Sequence, residues 1–241
     1  MTREPGLVVE TPWWLEVNGV RVAGGTMKPD HARALGAGRL VTDGWARKSV
    51  HVLNLDVALD PVGAILVQAR VPTENVRAVT IEQEHRMRHG CGLLHFVVCD
   101  PSAIRKVRAA APPPLDAFPA LFKSLFAAAE SASAAGGLHA AALCDGTGLL
   151  DPRADVSRHN AVDKTIGDAL LSGRSLTGLG LLVTARISAE MAQKAARAGV
   201  AWVASRSIPT TLAVAIAEVA CLPLIARAPA ANAAVLGGTP P

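Results

Sequence analysis

The sequence predicts an α/β protein whose N-terminal part is α+β. Two observations carry this prediction. Between residues 155 and 226, short apolar runs typical of buried strands alternate with helical patterns, which favours a parallel sheet covered on both faces. Before residue 112, one helical pattern lies among several strand-like runs. A chain of 241 residues suits one large domain or two small ones. We expect two, residues 1–111 and 112–241, with the hinge at Pro112-Pro113-Pro114.

The N-terminal part begins with a predicted hairpin over residues 7–27. Asn18-Gly19 supplies its turn, because both residues tolerate positive φ. A helix is predicted over residues 29–41, with Asp43-Gly44 just past its end. Strands are predicted over residues 50–59, 64–71 and 76–82, since turn-forming residues separate these apolar runs.

The C-terminal part begins with a predicted helix over residues 115–134, closed by Gly136-Gly137. Residues 138–144 and 149–153 then form a predicted hairpin. Three helices follow, which end at Gly173, Gly199 and near Ala220. They alternate with predicted strands at residues 179–184, 200–204 and 222–226.

Composition narrows the function classes. The net charge is +4, which fits an anionic ligand, but no polybasic nucleic-acid arm is present. Tyrosine is absent and aromatic residues make up 3% of the chain, which argues against stacking platforms for single strands. No apolar run reaches the about 18 residues of a membrane helix, and residues 1–5 lack a signal peptide's apolar core. We therefore expect a cytoplasmic protein that binds neither nucleic acid nor membrane.

The cysteines indicate free thiols rather than a metal site. The four are irregularly spaced, which favours a reducing compartment and fits no zinc motif. Cys91 stands apart because it follows two arginines and two histidines and lies between two glycines. Positive neighbours lower a thiol pKa, so Cys91 is a candidate nucleophile or persulfide carrier. A small buried residue in a tight loop is the alternative.

Three strand-to-helix junctions predict an anion site. Right-handed crossovers place successive junctions along the carboxyl edge of a sheet, where ligands of such sheets bind. Free helix N–H groups there favour phosphate or pyrophosphate. For any single junction, N-capping serines and solvated arginines are the alternative. The junction donors, in chain order, are Ser157, Arg158 and His159; Thr184, Arg186 and Ser188; and Ser205, Arg206, Ser207 and Thr210.

A family resemblance covers these same junctions. The runs are D-V-S-R-H-N-A-V-D-K at 155–164, A-R-I-S-A-E-M-A-Q-K-A at 185–195 and S-I-P-T-T-L-A-V-A-I-A at 207–217, with G-G-L-H-A-A-A at 136–142. Together they resemble the FdhD/NarQ family of formate dehydrogenase accessory sulfurtransferases. Glu10-Thr11-Pro12 and Asn18-Gly19 resemble it more weakly.

The resemblance implies a cytidine-deaminase-like, three-layer C-terminal domain. A zinc deaminase needs a His-x-Glu and a Cys-x-x-Cys. Here the first reads His159-Asn160-Ala161, and the second helix has no Cys-x-x-Cys. We therefore expect no structural metal, and we expect His139 and His159 to contact a ligand or donate hydrogen bonds. A satisfied core histidine is the alternative for His139.

The resemblance also implies a function. Cys91 would take persulfide sulfur from a cysteine desulfurase and pass it to the molybdenum bis-guanine-dinucleotide cofactor of a molybdenum or tungsten formate dehydrogenase. The protein would be a homodimer. The predicted cofactor contacts combine the junctions with a C-terminal loop of the family. They are Asp155, Arg158, His159, Arg186, Ser188, Ser207, Thr210, Ala228, Pro229, Ala230, Ala231, Asn232 and Ala233.

Three departures from the family pattern leave other functions open. Leu94 stands where the family has a second cysteine, Ala231-Asn232 replaces a Gly-Arg pair, and Ser157 replaces a glycine. One thiolate can still carry a persulfide, but a relay role for the second is lost. The alternatives are a diverged chaperone that binds the cofactor or the dehydrogenase without moving sulfur, and a small-molecule enzyme that kept the pocket.

Overall fold

A computed structural model describes residues 6–46, 54–72, 104–108 and 110–238. It contains two mixed sheets and five α-helices within those residues, which confirms the predicted α/β class. The predicted strand at residues 76–82 and the loop that carries Cys91 lie outside the described residues. Across the described helices, none combines the length and apolar character needed to cross a bilayer.

The first sheet has four strands in the order β2-β1-β4-β3. Strands β1 and β4 are parallel, and the other neighbours are antiparallel. Asn18 and Gly19 have φ of 50° and 84°, so the predicted turn is confirmed. Helix α1 packs on this sheet through Leu35 and Leu40. The elements are β1 Thr11–Val17, β2 Val20–Met27, α1 Ala32–Thr42, β3 Leu55–Leu59 and β4 Ile65–Ala69.

The second sheet has six strands in the order β10-β9-β8-β7-β5-β6. Strands β7, β8 and β9 are parallel, as the alternating pattern predicts. Antiparallel β5 and β10 make the sheet mixed. The sequence pattern did not reveal β10, which has three exposed residues in the alanine-rich tail. The strands are β5 His139–Cys144, β6 Leu149–Asp155, β7 Gly180–Val183, β8 Trp202–Ser205, β9 Leu224–Ala226 and β10 Ala234–Leu236.

Helices cover both faces of the second sheet. Ala140 and Ala142 of β5 face the cluster that contains helix α2, whereas Ala141 and Leu143 face the cluster that contains α3, α4 and α5. This alternation is the two-residue period of a strand buried on both sides. The three-layer arrangement is therefore present, while the deaminase-like classification stays a prediction. The helices are α2 Phe118–Ala132, α3 Arg158–Leu171, α4 Ala189–Ala198 and α5 Thr211–Ala220.

Helix α1 crosses α3 with almost no space between the two backbones. A Cβ added at Gly38 would lie 1.9 Å from the carbonyl oxygen of Asp163, and one added at Gly167 would lie 1.8 Å from that of Ala34. Real side chains cannot occupy such positions without displacement of the backbone. Glycine at both positions therefore brings the N-terminal sheet and helix against the C-terminal part.

A group of buried charged residues stabilises the crossing of α1 and α3. Lys194 of α4 donates to Thr42 at 2.9 Å and to both oxygens of Asp163 at 3.0 Å. It also pairs with Asp43 just past α1. All four residues are buried. Burial of a charged side chain is costly unless it is paired, and here the lysine is paired with the two aspartates. This group is a structural element that links α1, α3 and α4.

Residues 104–108, which precede the predicted boundary at residue 112, pack with the C-terminal part. The amide of Val107 donates to the carbonyl of Ala220 at 2.8 Å, and Val107 lies in the core cluster of α3, α4 and α5. Arg105 donates to the carbonyl of Arg197 at 3.1 Å. Contact with the C-terminal part thus begins before Pro112, and the boundary at residue 111 stays a prediction.

Candidate functional site

The three predicted junctions lie along one edge of the six-stranded sheet. Strands β7 and β8 are parallel, and β6 has the same direction because both β6 and β7 are antiparallel to β5. The carboxyl ends of β6, β7 and β8 therefore meet at one edge, together with the start of β5. We call this the junction edge; it comprises His139, residues 155–159, 184–190 and 205–210, and the loop after β9.

Asp155, a predicted cofactor contact, is a buried structural residue at the first junction. Its side chain is fully buried. One carboxylate oxygen accepts from the amide of Ser157 at 2.9 Å and from Asn160 at 3.1 Å. The other oxygen lies 2.7 Å from Nζ of Lys164 and accepts from the amide of Lys28 at 3.1 Å. With both oxygens engaged, Asp155 fixes the entry to α3, and its predicted contact with a cofactor stays a prediction.

Arg158 and His159 begin helix α3 and are better placed for a ligand. Arg158 is exposed, and no hydrogen bond or ion pair joins its side chain to another described residue. Nε2 of His159 lies 3.0 Å from Oε2 of Glu190. Nε2 is buried and not aligned for a hydrogen bond to a described residue, and the contact is an ion pair only when the imidazole is protonated. Interaction with His159, the largest cause, lowers the pKa of Glu190, although burial opposes it.

The second junction presents a buried hydroxyl without a partner. Ser188 precedes α4 in an extended conformation and forms no side-chain cap. Its Oγ is buried and has no hydrogen-bond partner among the described residues, so the capping alternative does not hold for it. A buried hydroxyl without a partner is costly, and a bound acceptor would remove that cost. Arg186 is exposed, and no contact places its guanidinium beside the other basic groups of the edge.

The third junction is pinned to the second by hydrogen bonds. Ser205 donates to the carbonyl of Ala185 at 2.7 Å, and Thr210 donates its amide to the carbonyl of Ile187 at 3.0 Å. Thr210 Oγ1 accepts from the amide of Ala213 at 3.2 Å, so this residue caps helix α5. The amide of Ser207 donates to Oγ of Ser205 at 2.9 Å; the Ser207 hydroxyl has no partner among the described residues.

The predicted C-terminal ligand loop lies directly beside the third junction. The amide of Arg227 donates to the carbonyl of Ser207 at 2.8 Å, and that of Ala228 donates to the carbonyl of Ser205 at 2.9 Å. Ala228 is buried, whereas Asn232 is exposed. The loop is therefore within reach of a ligand at the junction edge, as predicted. Its predicted contact residues are Ala228, Pro229, Ala230, Ala231, Asn232 and Ala233, and their binding role stays a prediction.

The electrostatics of His139 show that basic groups from two junctions converge. Burial lowers the pKa of the His139 imidazole, and Arg158, Arg206 and His159 lower it further, against a smaller opposite effect of Asp155. His139 begins β5 in register with Asp155 at the end of β6, which places it at the same edge as the first junction. The convergence creates a basic patch at the junction edge, which favours an anionic ligand.

Sequence reasoning underweighted three residues of this edge. The sequence left His139 with two alternatives, a core role and a ligand role. It predicted Arg206 as one of several junction donors and gave Glu190 no role. The signal for Glu190 was present, because an acidic residue in the first turn of a helix beside a predicted basic edge has a cation to pair with. Cys91 lies outside the described residues, so its predicted catalytic role stays a prediction.

Comparison with known proteins agrees with the geometry. The sequence model of the FdhD/NarQ family matches residues 8–239. The chain is similar to the sulfur carrier protein FdhD of Streptomyces avermitilis, with 36% identity over 93% of this chain and 84% of the relative. It is 31% identical to the sulfur carrier protein FdhD of Bacillus subtilis over 89% of this chain and 82% of that protein.

A solved structure shares the fold. The crystal structure of a protein from Desulfotalea psychrophila, described as a formate dehydrogenase accessory protein, superimposes with a TM-score of 0.70. The match covers 94% of this chain and 86% of the other, at 22% identity. The motifs of the three junctions, the match of the family over nearly the whole length and this shared fold agree, and the chain belongs to the FdhD/NarQ family.

Proposed function

We propose that the protein is a sulfur carrier that serves a formate dehydrogenase, and that it binds a guanine-dinucleotide molybdenum cofactor as its sulfur acceptor. The observation that carries the proposal is that the three junctions share one sheet edge, where Arg158 is exposed and the buried hydroxyl of Ser188 has no partner among the described residues. The relative from Streptomyces avermitilis, which is named sulfur carrier protein FdhD, matches 93% of this chain. This match supports the same function.

The junction edge suits the diphosphate of such a cofactor. Helix α3 begins at Arg158 and α4 begins after Ser188, so both present free N–H groups. The arginines supply charge, and the partnerless hydroxyl of Ser188 supplies a donor. We assign phosphate contacts to Arg158, Ser188 and Ser207, and a supporting role to the His159–Glu190 pair. Thr210 acts mainly through its cap, and Arg186 adds positive charge from an exposed position.

Sulfur would travel on Cys91. A thiolate attacks the terminal sulfur of a cysteine desulfurase persulfide, a new S–S bond forms, and the desulfurase thiolate leaves, so no net oxidation occurs. Release of that sulfur as sulfide requires a second thiol, which attacks Cys91 Sγ, becomes a mixed disulfide and expels hydrosulfide. Because Leu94 occupies the position of the family's second cysteine, that thiol must come from elsewhere.

The remaining assignments follow from the same function. The partners are a cysteine desulfurase and a molybdenum or tungsten formate dehydrogenase, and the cytoplasm is the compartment that suits a thiol chemistry. Cys144 and Cys221 are free thiols, which supports that compartment.

We further propose a homodimer; strand β10 leaves Val235 and Leu236 exposed at a sheet edge, which a second copy can cover. Light scattering after size-exclusion chromatography tests this assembly.

Two measurements test the proposal. Incubation with a cysteine desulfurase and cysteine should add 32 Da, the mass of one sulfur atom, to the intact protein but not to Cys91→Ala. Titration with GDP should raise the melting temperature, because a ligand of the native state stabilises it. Arg158→Gln and Arg206→Gln should each weaken that effect, and Arg174→Gln, on the surface away from the edge, is the matched control.

The outcomes separate the alternatives. Loss of the added mass with intact GDP binding would favour the chaperone that holds the cofactor without sulfur transfer. Absence of both effects in the wild-type protein would refute the proposal and its alternative together.

A further inference from the structure

Two side-chain contacts join helix α3 to helix α4 at matching positions. Nε2 of His159 lies 3.0 Å from Oε2 of Glu190, and Nζ of Lys194 donates to both oxygens of Asp163 at 3.0 Å. Each helix presents its two residues on one face, because Asp163 follows His159, and Lys194 follows Glu190, by one helical turn. We call His159 and Glu190 the outer pair, and Asp163 and Lys194 the inner pair.

The inner pair is buried and has further partners. The side chain of Lys194 is 5% exposed and that of Asp163 is fully buried. Asp163 also accepts from the hydroxyl of Thr42 at 2.6 Å, and Lys194 also pairs with Asp43. Because buried charges cannot separate without a large cost, the inner pair fixes how α3 and α4 lie beside each other. The outer pair, one turn away, therefore forms between two helices of fixed register.

The outer pair lies at the junction edge. Each of its two side chains is 19% exposed, and His159 follows the exposed Arg158 at the start of α3. Interaction with His159 lowers the pKa of Glu190 most, against the opposite effect of burial, and Lys194 and Arg158 lower it further. Glu190 is therefore an ionised carboxylate among the basic groups of the edge.

Glu190 is an unexpected residue at a site for anions, because its charge should repel them. We propose that Glu190 is a positioning residue, which holds the imidazole of His159 at the junction edge so that an anionic ligand can contact the ring. The proposal rests on the proposed function, because the ligand is the phosphate group assigned to this edge. A ring that Glu190 already holds loses less side-chain entropy when the ligand binds, which favours affinity.

The two possible effects of Glu190 on anion binding have opposite signs. If only its charge mattered, loss of the carboxylate would strengthen the binding of anions. If Glu190 holds His159, loss of the carboxylate weakens binding, and does so only while His159 is present. Glu190→Met and Glu190→Gln separate charge from position, since both remove the charge but glutamine keeps an oxygen that can accept from the imidazole.

The first test measures pyrophosphate binding by calorimetry. Glu190→Met should weaken binding about threefold, and Glu190→Gln should weaken it less. In a His159→Asn background, Glu190→Met should have no further effect, because a double-mutant cycle reports whether one residue acts through another. Glu218→Met is the matched control, since it removes an exposed carboxylate from α5 and should leave binding unchanged.

The second test is nuclear magnetic resonance of the ligand-free protein with its histidines labelled with nitrogen-15. Glu190→Met should shift the imidazole nitrogens of His159, because Glu190 contacts that ring, and should move those of His139 less. A general loss of structure would shift both rings alike. Glu218→Met should shift neither.

The outcomes separate this proposal from the function on which it rests. Tighter pyrophosphate binding by both Glu190 variants would show that the carboxylate only repels, and would overturn the positioning role. Equal loss with and without His159, or unmoved His159 resonances while pyrophosphate is still bound, would overturn that role and leave the anion site standing. Failure of the wild type to bind either pyrophosphate or GDP would refute the proposed function, and with it the role of Glu190 in binding.

Discussion

Nζ of Lys164 lies 2.7 Å from Oδ2 of Asp155, and both side chains are fully buried. The same ammonium lies 2.7 Å from Oδ1 of Asp30 and donates to the carbonyl of Lys28 at 2.9 Å. The pair thus ties the first junction of the candidate site to the chain segment before α1. Asp155, which the sequence suggested as a ligand contact, also helps to hold two parts of the fold together.

Substitution of Lys164 should be strongly destabilising. In Lys164→Met, Asp155 would remain buried without its cation, and removal of one partner from a buried pair costs about 3–5 kcal/mol. Urea denaturation measures the change. Arg174→Met is the matched control, because Arg174 and Asp151 form a more exposed pair at 3.1 Å, whose loss costs about 1 kcal/mol or less. Equal losses in the two variants would contradict the structural role of Lys164.

The crossing of α1 and α3 should tolerate no side chain at Gly167. Gly167→Ala would place a Cβ 1.8 Å from the carbonyl oxygen of Ala34, so the helices must separate, at a cost of about 1–3 kcal/mol. Gly148→Ala is the control, since nothing lies within 4 Å of the added Cβ. Thermal denaturation should show a lower midpoint for the first variant and little change for the second. A neutral Gly167→Ala would show that the crossing is looser than described.

Acid should weaken the buried charge group at a predictable pH. Burial alone would raise the pKa of Asp43, but Arg39 and Lys194 outweigh it and lower the pKa to about 2. A lowered carboxyl pKa stabilises the folded state above the unfolded value near 4, and this stability is lost as the pH falls towards 2. The contribution is about 2 kcal/mol. Denaturation of the wild type and Asp43→Asn between pH 2 and 5 should show a free-energy difference that shrinks with acid; a constant difference would contradict the pairing.

Binding of a phosphate ligand should take up a proton at His139. Burial and the neighbouring arginines lower the pKa of this imidazole, and a bound anion would raise it again, so the complex holds more protons than the free protein in mildly acidic buffer. Calorimetry with GDP in two buffers of different ionisation enthalpy measures the uptake. His139→Asn should remove most of this uptake. Equal uptake in wild type and His139→Asn would place the ligand elsewhere.

Much of the fold could be predicted because its signals are local. Asn18-Gly19 marks a turn by the backbone angles it permits, and Gly173, Gly199 and the helical patterns before them mark where helices end. Alternating strands and helices then fix the edge where the junctions meet. Strand β10 escaped prediction because three small or branched residues after a loop carry no periodicity of their own.

The candidate site was harder to predict, because a sequence motif does not show which of its residues are buried. Asp155 and Arg158 are three residues apart, yet Asp155 is wholly enclosed and Arg158 is exposed. The difference comes from Lys28, Asn160 and Lys164, which surround the carboxylate. Lys28 becomes a neighbour of Asp155 only once the fold places the segment before α1 beside α3. The junction residues pointed to the correct edge, while the division between structural and ligand-facing residues required the three-dimensional contacts.

Helix α3 has its first turn at the basic patch and its middle locked against α1. Arg158 and Gly167 are separated by about 14 Å along the helix axis. One rigid element therefore spans the distance between ligand capture and the anchorage of the N-terminal sheet. We expect occupancy at one end to stabilise the crossing at the other, so that a bound nucleotide slows amide exchange around Gly167 although it touches nothing there.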